Sequence, residues 1–231
     1  MSKKAIVIHS GGMDSSICLA LAIKEWGKEN VLSLSFSYQQ RHAKEIDQAK
    51  KICTDWEVDH HILDLDIIKK ITDNALINAN ISIHHPLGEA PNTLVLGRTG
   101  LMAHLGAIYA HKLGADCLYM GVMELESSNS GYRDCSRYYM DLKQKILQID
   151  LNNPAFEIKT PLIFLTKKES LTIAYELGIL EYLLLETISC YEEKRYLGCK
   201  SCPACLLRNK GLEEFKLSYP KFSLPYSFYS N

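Results

Sequence analysis

Two groups of residues, one near each end of the chain, have the types and spacing to do chemistry. The first is Ser10-Gly11-Gly12-Met13-Asp14-Ser15, which follows the apolar run Ala5-Ile6-Val7-Ile8 and leads into an amphipathic helix opened by Ser15 to Ala22. A strand, a glycine turn and a helix start in that order bring unpaired amides and the positive end of the helix dipole together, where an anion is favoured. Ser10 and Ser15 add hydroxyl donors. A plain turn would ask only for the glycine pair, whereas six specified residues at the first strand–helix junction read as a phosphate loop. It is not a Walker A loop, because no lysine follows Gly12, and it lacks the Gly-x-Gly-x-x-Gly dinucleotide fingerprint.

The second group is Cys190, Cys199, Cys202 and Cys205, in the pattern Cys-x8-Cys-x2-Cys-x2-Cys, which holds half of the eight cysteines. Four thiolates so spaced can close a tetrahedral site, and the Cys-x2-Cys pairs let neighbouring sulfurs grip one ion. Zinc is the first choice, while an iron–sulfur cluster uses the same ligands and the spacing leaves it open. A closed four-sulfur site keeps no open coordination position, so the metal is expected to be structural and to pin the C-terminal lobe. Cys18 and Cys117, set in apolar runs, read as core.

These groups need a scaffold. Val31 to Phe36 alternates as a strand, which with the first strand and helix makes a βαβ unit. A second helix is expected from Tyr38 to about Trp56, a strand from His60 to Leu65, a helix from Thr99 to Leu113 closed by Gly114, and a strand from Asp116 to Val122. His60 and His61 point to opposite faces of a strand, so they read as structural rather than as a metal pair. Residues 67–91 lose periodicity and read as a long loop, often a lid over a site. A polar loop from Glu124 to Gly131 sits at the carboxyl end of a strand, where open α/β sheets bind ligands. A helix over Arg137–Leu151, a short strand over Glu157–Leu162 and a helix begun by a Thr166/Glu169 capping box and ended by Gly178 complete the body. The tail from Ser218 has no period and is expected to pack on the body or on another subunit. The pattern predicts a doubly wound parallel α/β sheet over residues 1–186, with a small four-cysteine lobe and tail over 187–231.

With 231 residues, 47% of them hydrophobic, the chain can bury one such core but not two full domains. A net charge of −1 argues against tight sequence-independent binding to nucleic acid. The short N-terminal apolar run is broken by glycines, so neither a signal peptide nor a membrane span is expected. A cytoplasmic location with reduced cysteines follows, in which clustered cysteines suggest metal rather than disulfides.

Ser-Gly-Gly-x-Asp-Ser resembles the pyrophosphate loop of the ATP-pyrophosphatase (PP-loop) enzymes, which cleave ATP between its α and β phosphates and adenylate a substrate. That loop combined with a C-terminal four-cysteine site resembles one family, the 7-cyano-7-deazaguanine synthases (QueC) of queuosine precursor synthesis. The resemblance extends through Phe36-x-Tyr38-x-Gln40-Arg41-His42-Ala43-x-Glu45, Gly97-Arg98, Ser130-Gly131-Tyr132-x-Asp134-Cys135, Thr160-Pro161-Leu162, Thr166-Lys167-x-Glu169, Ser189-Cys190-Tyr191 and Cys205-x-Leu207-Arg208-x-x-Gly211. It implies an adenine-nucleotide α-hydrolase-like fold, a homodimer and bound zinc. The implied reaction is ATP-dependent conversion of 7-carboxy-7-deazaguanine with ammonia, through an amide, to the nitrile. Ser10 to Ser15 would then hold ATP, Asp14 would help hold its magnesium, and Arg98 and Lys167 would contact phosphate or carboxylate. Tyr38, Gln40, Arg41, His42, Tyr132 and Asp134 would bind the substrate. Two stretches depart from the family pattern. Val95-Leu96-Gly97-Arg98-Thr99 lacks the proline and the asparagine usual before the central helix, and Arg133 replaces the proline of Gly-Tyr-Pro-Asp-Cys. Such a change near the pocket fits an alternative, a paralogue that passes the activated acyl group to another amine, for example one on a protein, and stops at an amide. A nucleotide-binding module without turnover would not need Asp14, and a tRNA-thiolating enzyme would ask for a broad basic face.

Overall fold

The computed structural model describes residues 3–38, 43–72, 74, 81, 92–125, 131–192 and 194–224. Five parallel strands form one sheet in the order β3-β2-β1-β4-β5: β1 (Ala5–Ile8), β2 (Val31–Ser37), β3 (Asp59–Asp64), β4 (Cys117–Met120) and β5 (Glu157–Lys159). β1 lies between β2 and β4, so the winding direction reverses beside it, and the carboxyl end of β1 opens at the switch point where such sheets bind ligands. This is the doubly wound parallel sheet that the alternation predicts.

Period-two alternation divides the core into two layers. On one face Ala5, Val7, Cys117 and Tyr119 pack against helices α1 (Met13–Trp26), α6 (Lys167–Glu176), α7 (Leu180–Glu186) and α8 (Pro203–Ser218). On the other, Ile6, Leu32, Leu34, Leu118 and Ile158 meet α3 (Ile67–Ile71), α4 (Arg98–Leu113) and α5 (Arg137–Asp150). Helix α2 (Ala43–Asp55) sends Ile52 and Cys53 into the first layer. His60 and His61 do face opposite sides. His60 Nε2 lies 2.8 Å from Ser35 Oγ, and His61 Nδ1 lies 2.7 Å from the Tyr109 hydroxyl.

Several boundaries differ from the sequence expectation. Tyr38 is not helical; its side chain is buried beyond the end of β2, and the described helix begins at Ala43. The stretch read as loop from residue 67 opens with α3, because Ile68 is drawn into the core and a turn of helix satisfies the backbone around it. The remainder of the proposed lid, apart from residues 72, 74 and 81, lies outside the described residues. Helices α7 and α8 are additional. α8 carries Cys205, Arg208, Gly211, Leu212 and Phe215 on its buried face, and Leu212 and Phe215 share a core with Leu171 and Ala174 of α6. Tyr219 and Phe222 extend that core by ring contacts with Tyr175 and Phe215.

The strand β5 is an edge of the sheet, and α5 covers it with two glutamines. Gln144 Oε1 accepts the Ile158 N–H at 2.7 Å, and Gln148 Nε2 donates to the Phe156 carbonyl at 2.9 Å. Side chains thus occupy backbone groups that would otherwise template another strand. Gln144→Ala is expected to lower stability by about 1 kcal/mol, the worth of one such bond, read as a lower urea midpoint with an unchanged slope.

Candidate active site

The loop Ser10–Ser15 leaves β1 and enters α1 with Gly12 in the N-cap position, and among the described residues no side chain caps the helix start. The first-turn amides and the helix dipole are therefore presented together at the loop. Its own hydroxyls hold its shape: the Ser10 N–H donates to Ser15 Oγ at 3.2 Å, and Ser15 Oγ donates to the Gly12 carbonyl at 3.0 Å. Two glycines are sterically required. Gly11 has φ +82° and passes so close to α2 that a Cβ would lie 2.1 Å from the Glu45 carbonyl oxygen. Gly121, just past β4, lets that strand approach the loop, since a Cβ there would stand 2.8 Å from Ser15 N. A glycine closing an apolar strand was the only signal for Gly121 in the sequence.

Across the loop, Lys167 at the start of α6 reaches Asp14. Its buried ammonium donates to Oδ1 at 2.6 Å and to Oδ2 at 2.8 Å, and approaches Met123 Sδ at 3.4 Å. The expected capping box is present, with Thr166 and Glu169 exchanging both bonds, and it sets the helix start that aims Lys167. The structure thus brings together two residues 153 positions apart that the sequence could nominate only separately.

A cavity of 340 Å³ opens beside the loop at the carboxyl ends of β1, β2 and β4. Ser10, Gly12, Met13, Asp14 and Ser15 form its floor, and Tyr38, Arg98 and Tyr132 one wall. Ile188, Ser189, Tyr191 and Ala204, from the segment that carries the four cysteines, also line it. Arg98 Nη1 donates to the Tyr38 hydroxyl at 3.1 Å; Tyr38, with Asp134 and Tyr132, raises the guanidinium pKa and keeps it cationic. Tyr132 bonds to Thr93 Oγ1 and lies 3.4 Å from the Tyr191 hydroxyl. Asp134 is buried behind this wall rather than lining it. Its Oδ2 accepts the Thr99 N–H at the start of α4 at 3.3 Å, and its Oδ1 has no hydrogen-bond partner among the described residues. Gln40, Arg41 and His42 lie outside the described residues. Tyr191, a half-buried phenol next to Cys190, had no role in the sequence reading beyond the motif that contained it.

The sulfurs of Cys190, Cys199, Cys202 and Cys205 all lie within 4.8 Å of one another. A regular tetrahedron with Zn–S bonds of about 2.3 Å has edges of about 3.8 Å, and the Cys199 and Cys205 sulfurs stand 3.9 Å apart. Backbone amides point at the sulfurs, from Glu192 and Cys199 to Cys190 at 3.3 and 3.4 Å and from Cys202 to Cys199 at 3.2 Å. The buried guanidinium of Arg208 has these thiolates among its charged neighbours. Donors and a cation around four thiolates are what a metal-bound, net-negative cluster requires. The donor set therefore fits a closed structural metal site.

Beneath the loop lies His9, fully buried, with Nδ1 3.0 Å from Ser33 Oγ and Nε2 3.0 Å from Ser16 Oγ. Burial first, and His60 second, push its pKa from 6.5 down to about 3, so it is neutral in the folded protein. The histidine that ends the first apolar run thus joins strand to helix beneath the Ser10–Ser15 loop.

The family described as "Queuosine biosynthesis protein QueC" matches residues 4–216. A 7-cyano-7-deazaguanine synthase from Clostridium botulinum is 39% identical over 224 residues, covering 95% of this chain and 99% of that protein. Among solved structures, an NH3-dependent NAD synthetase from Campylobacter jejuni superposes with a TM-score of 0.48 at 20% identity, covering 79% of this chain and 67% of the other. The U34-tRNA thiolase NcsA from Methanococcus maripaludis, solved with its 4Fe–4S cluster, gives a TM-score of 0.48 at 16% identity, covering 94% of this chain and 67% of the other.

Two outcomes are expected from this geometry. A histidine whose pKa falls on folding adds stability that is complete above pH 6.5 and is lost as pH drops toward about 3. Between pH 6 and 4 the unfolding free energy should therefore fall more steeply than in His9→Gln by about 1.4 kcal/mol per pH unit, measured by urea titration of both proteins. Cys202→Ser should release the metal and lower the unfolding temperature, because binding and folding of the lobe are coupled. A metal-free Cys202→Ser protein with unchanged melting would refute a structural role.

Proposed function

The chain belongs to the family of the queuosine biosynthesis protein QueC, and on that premise we propose that it activates the carboxylate of 7-carboxy-7-deazaguanine with ATP and converts it with ammonia, through the amide, to 7-cyano-7-deazaguanine. The observation that carries this reading is the uncapped helix start at the sheet's switch point, with Asp14 and Lys167 paired across it and Arg98 lining the same cavity.

A carboxylate resists attack by an amine because oxide would have to leave. Attack of a carboxylate oxygen on the α-phosphorus of ATP expels pyrophosphate and yields an acyl adenylate. The amine nitrogen then attacks the acyl carbon, AMP departs with the bond electrons, and loss of a proton leaves the amide. Repetition at the amide oxygen, followed by loss of AMP and of both protons of the amide nitrogen, gives the nitrile. The protein's share is orientation and charge neutralisation. The loop amides would receive phosphate oxygens, with Ser10 and Ser15 exchanging their present bonds for ligand ones. Asp14 would hold the magnesium that accompanies ATP, a hard cation suited to carboxylate oxygen, and Lys167 and Arg98 would offset charge on phosphate or carboxylate. Tyr38 and Tyr132 line the wall where a flat base would stack. Zinc is the metal proposed for the four sulfurs, away from the reacting atoms. The expectation of a homodimer is supported by Tyr138, Leu142, Ile146 and Ile149, which expose an apolar stripe along α5.

The purified protein with ATP, magnesium, 7-carboxy-7-deazaguanine and ammonium should release AMP and pyrophosphate, and mass spectrometry should identify the nitrile. An amide as the sole end product would favour the acyl-transferring paralogue instead. AMP formation with an unrelated acid but not with this one would remove the substrate assignment.

A further inference from the structure

Lys167 is buried near the C-terminal helix, and one residue of that helix determines whether it fits. Gly211 stands in the middle of α8 on its buried face. A Cβ at this position would lie 2.7 Å from both Cβ and Cγ of Lys167 and 3.1 Å from its carbonyl carbon. Glycine inside a helix costs about 1 kcal/mol against alanine, so its presence here needs a compensating contact, and that contact is the aliphatic stem of Lys167. At the other end of the stem, the ammonium meets both oxygens of Asp14 and Met123 Sδ.

The same helix begins in the four-cysteine centre. Cys202 is its N-cap, Cys205 lies in its first turn, and Cys205, Arg208, Gly211, Leu212 and Phe215 follow one another along one face. A helix clamped at one end by thiolates and at the other by an aromatic core cannot slide or turn freely past α6. We propose that Gly211 is a positioning residue: it seats the stem of Lys167, and through it the four-cysteine lobe sets where the Lys167 ammonium stands relative to Asp14. Added bulk at 211 displaces that ammonium without removing any group from the site. The inference rests on the reading that Asp14 and Lys167 serve ATP, but the seating itself can be measured without substrate.

Gly211→Ala and Phe215→Leu are compared with the parent in full-length, metal-loaded protein. Phe215→Leu loosens α8 at a residue whose ring packs on Tyr175, Tyr219 and Phe222. Gly211→Ala should lower kcat for AMP release ten- to a hundredfold, roughly the cost of misplacing a group by about 1 Å, with the metal content of the parent. Phe215→Leu, at equal or greater loss of melting temperature, should stay within about twofold per folded molecule, and Gly211→Ala should add less than about twofold in a Lys167→Met background. Reductive methylation of Lys167, followed by mass spectrometry, should be faster in Gly211→Ala than in the parent. Lys167→Arg, which keeps the charge but not the slender stem, should be as impaired as Lys167→Met, and this arm stands if Gly211→Ala does not fold. Equal losses in Gly211→Ala and Phe215→Leu, unchanged methylation of Lys167, or an active Lys167→Arg would each overturn the inference. A parent that methylates as expected but releases no AMP would overturn the ATP reading and leave the seating intact.

Discussion

The ion pair between Lys167 and Asp14 ties the first strand–helix junction to the sixth helix, and the site's geometry depends on it. Both oxygens of a partly exposed carboxylate face one buried ammonium at 2.6 and 2.8 Å. A lysine so far from water is tolerable only while a counter-charge and hydrogen-bond acceptors are fixed beside it. The fold supplies that fixity from three sides: a capping box that starts α6 at one residue, a helix α8 that gives way at Gly211, and a loop that holds Asp14 at the first turn of α1. Removing either partner would strand a charge, so the pair is better understood as an arrangement the surrounding packing enforces than as a source of stability.

Beneath the loop the same logic applies without charge. A neutral His9 links Ser33 of β2 to Ser16 of α1, and Ser35 donates to the His9 carbonyl at 2.6 Å while lying 2.8 Å from His60 Nε2. Serines that alternate with apolar residues along β2 suggest a strand with a wet face, yet Ser33 and Ser35 are 0% and 1% exposed. Their hydroxyls are satisfied internally, which makes burial tolerable and joins β1, β2 and α1 where the Ser10–Ser15 loop begins. Stability at acid pH is therefore tied to the integrity of the site.

The four-cysteine centre belongs to the same unit. It lies outside the sheet but contributes Ile188, Ser189, Tyr191 and Ala204 to the cavity wall, and its helix reaches the Lys167 stem and the main core. Four sulfurs gathered from a loop and the first turn of α8 suit a staple that would hold this side of the cavity rigid.

By itself the amino-acid sequence determined the local features. Apolar alternation defined the parallel strands, Ser10–Ser15 marked a glycine turn into the first helix, Thr166 and Glu169 announced a helix start, and four spaced cysteines announced a sulfur cluster that could hold a metal, because each signal lies within one turn, one strand or one short segment. The resemblance carried by Arg98, Lys167 and the tyrosines added candidates without their arrangement. Only the tertiary structure decided that Lys167 faces Asp14, that Tyr191 joins Tyr132 at the cavity, that Asp134 stands behind the wall and not in it, and that Gly121 and Gly211 are needed for close approach. It also decided that residues after 178 form α7 and α8, whose apolar faces are completed by α1 and α6 rather than by their own periodicity. Local signals depend on neighbours along the chain, whereas these contacts join residues tens to more than a hundred positions apart, and their energies exist only once the sheet has brought them together.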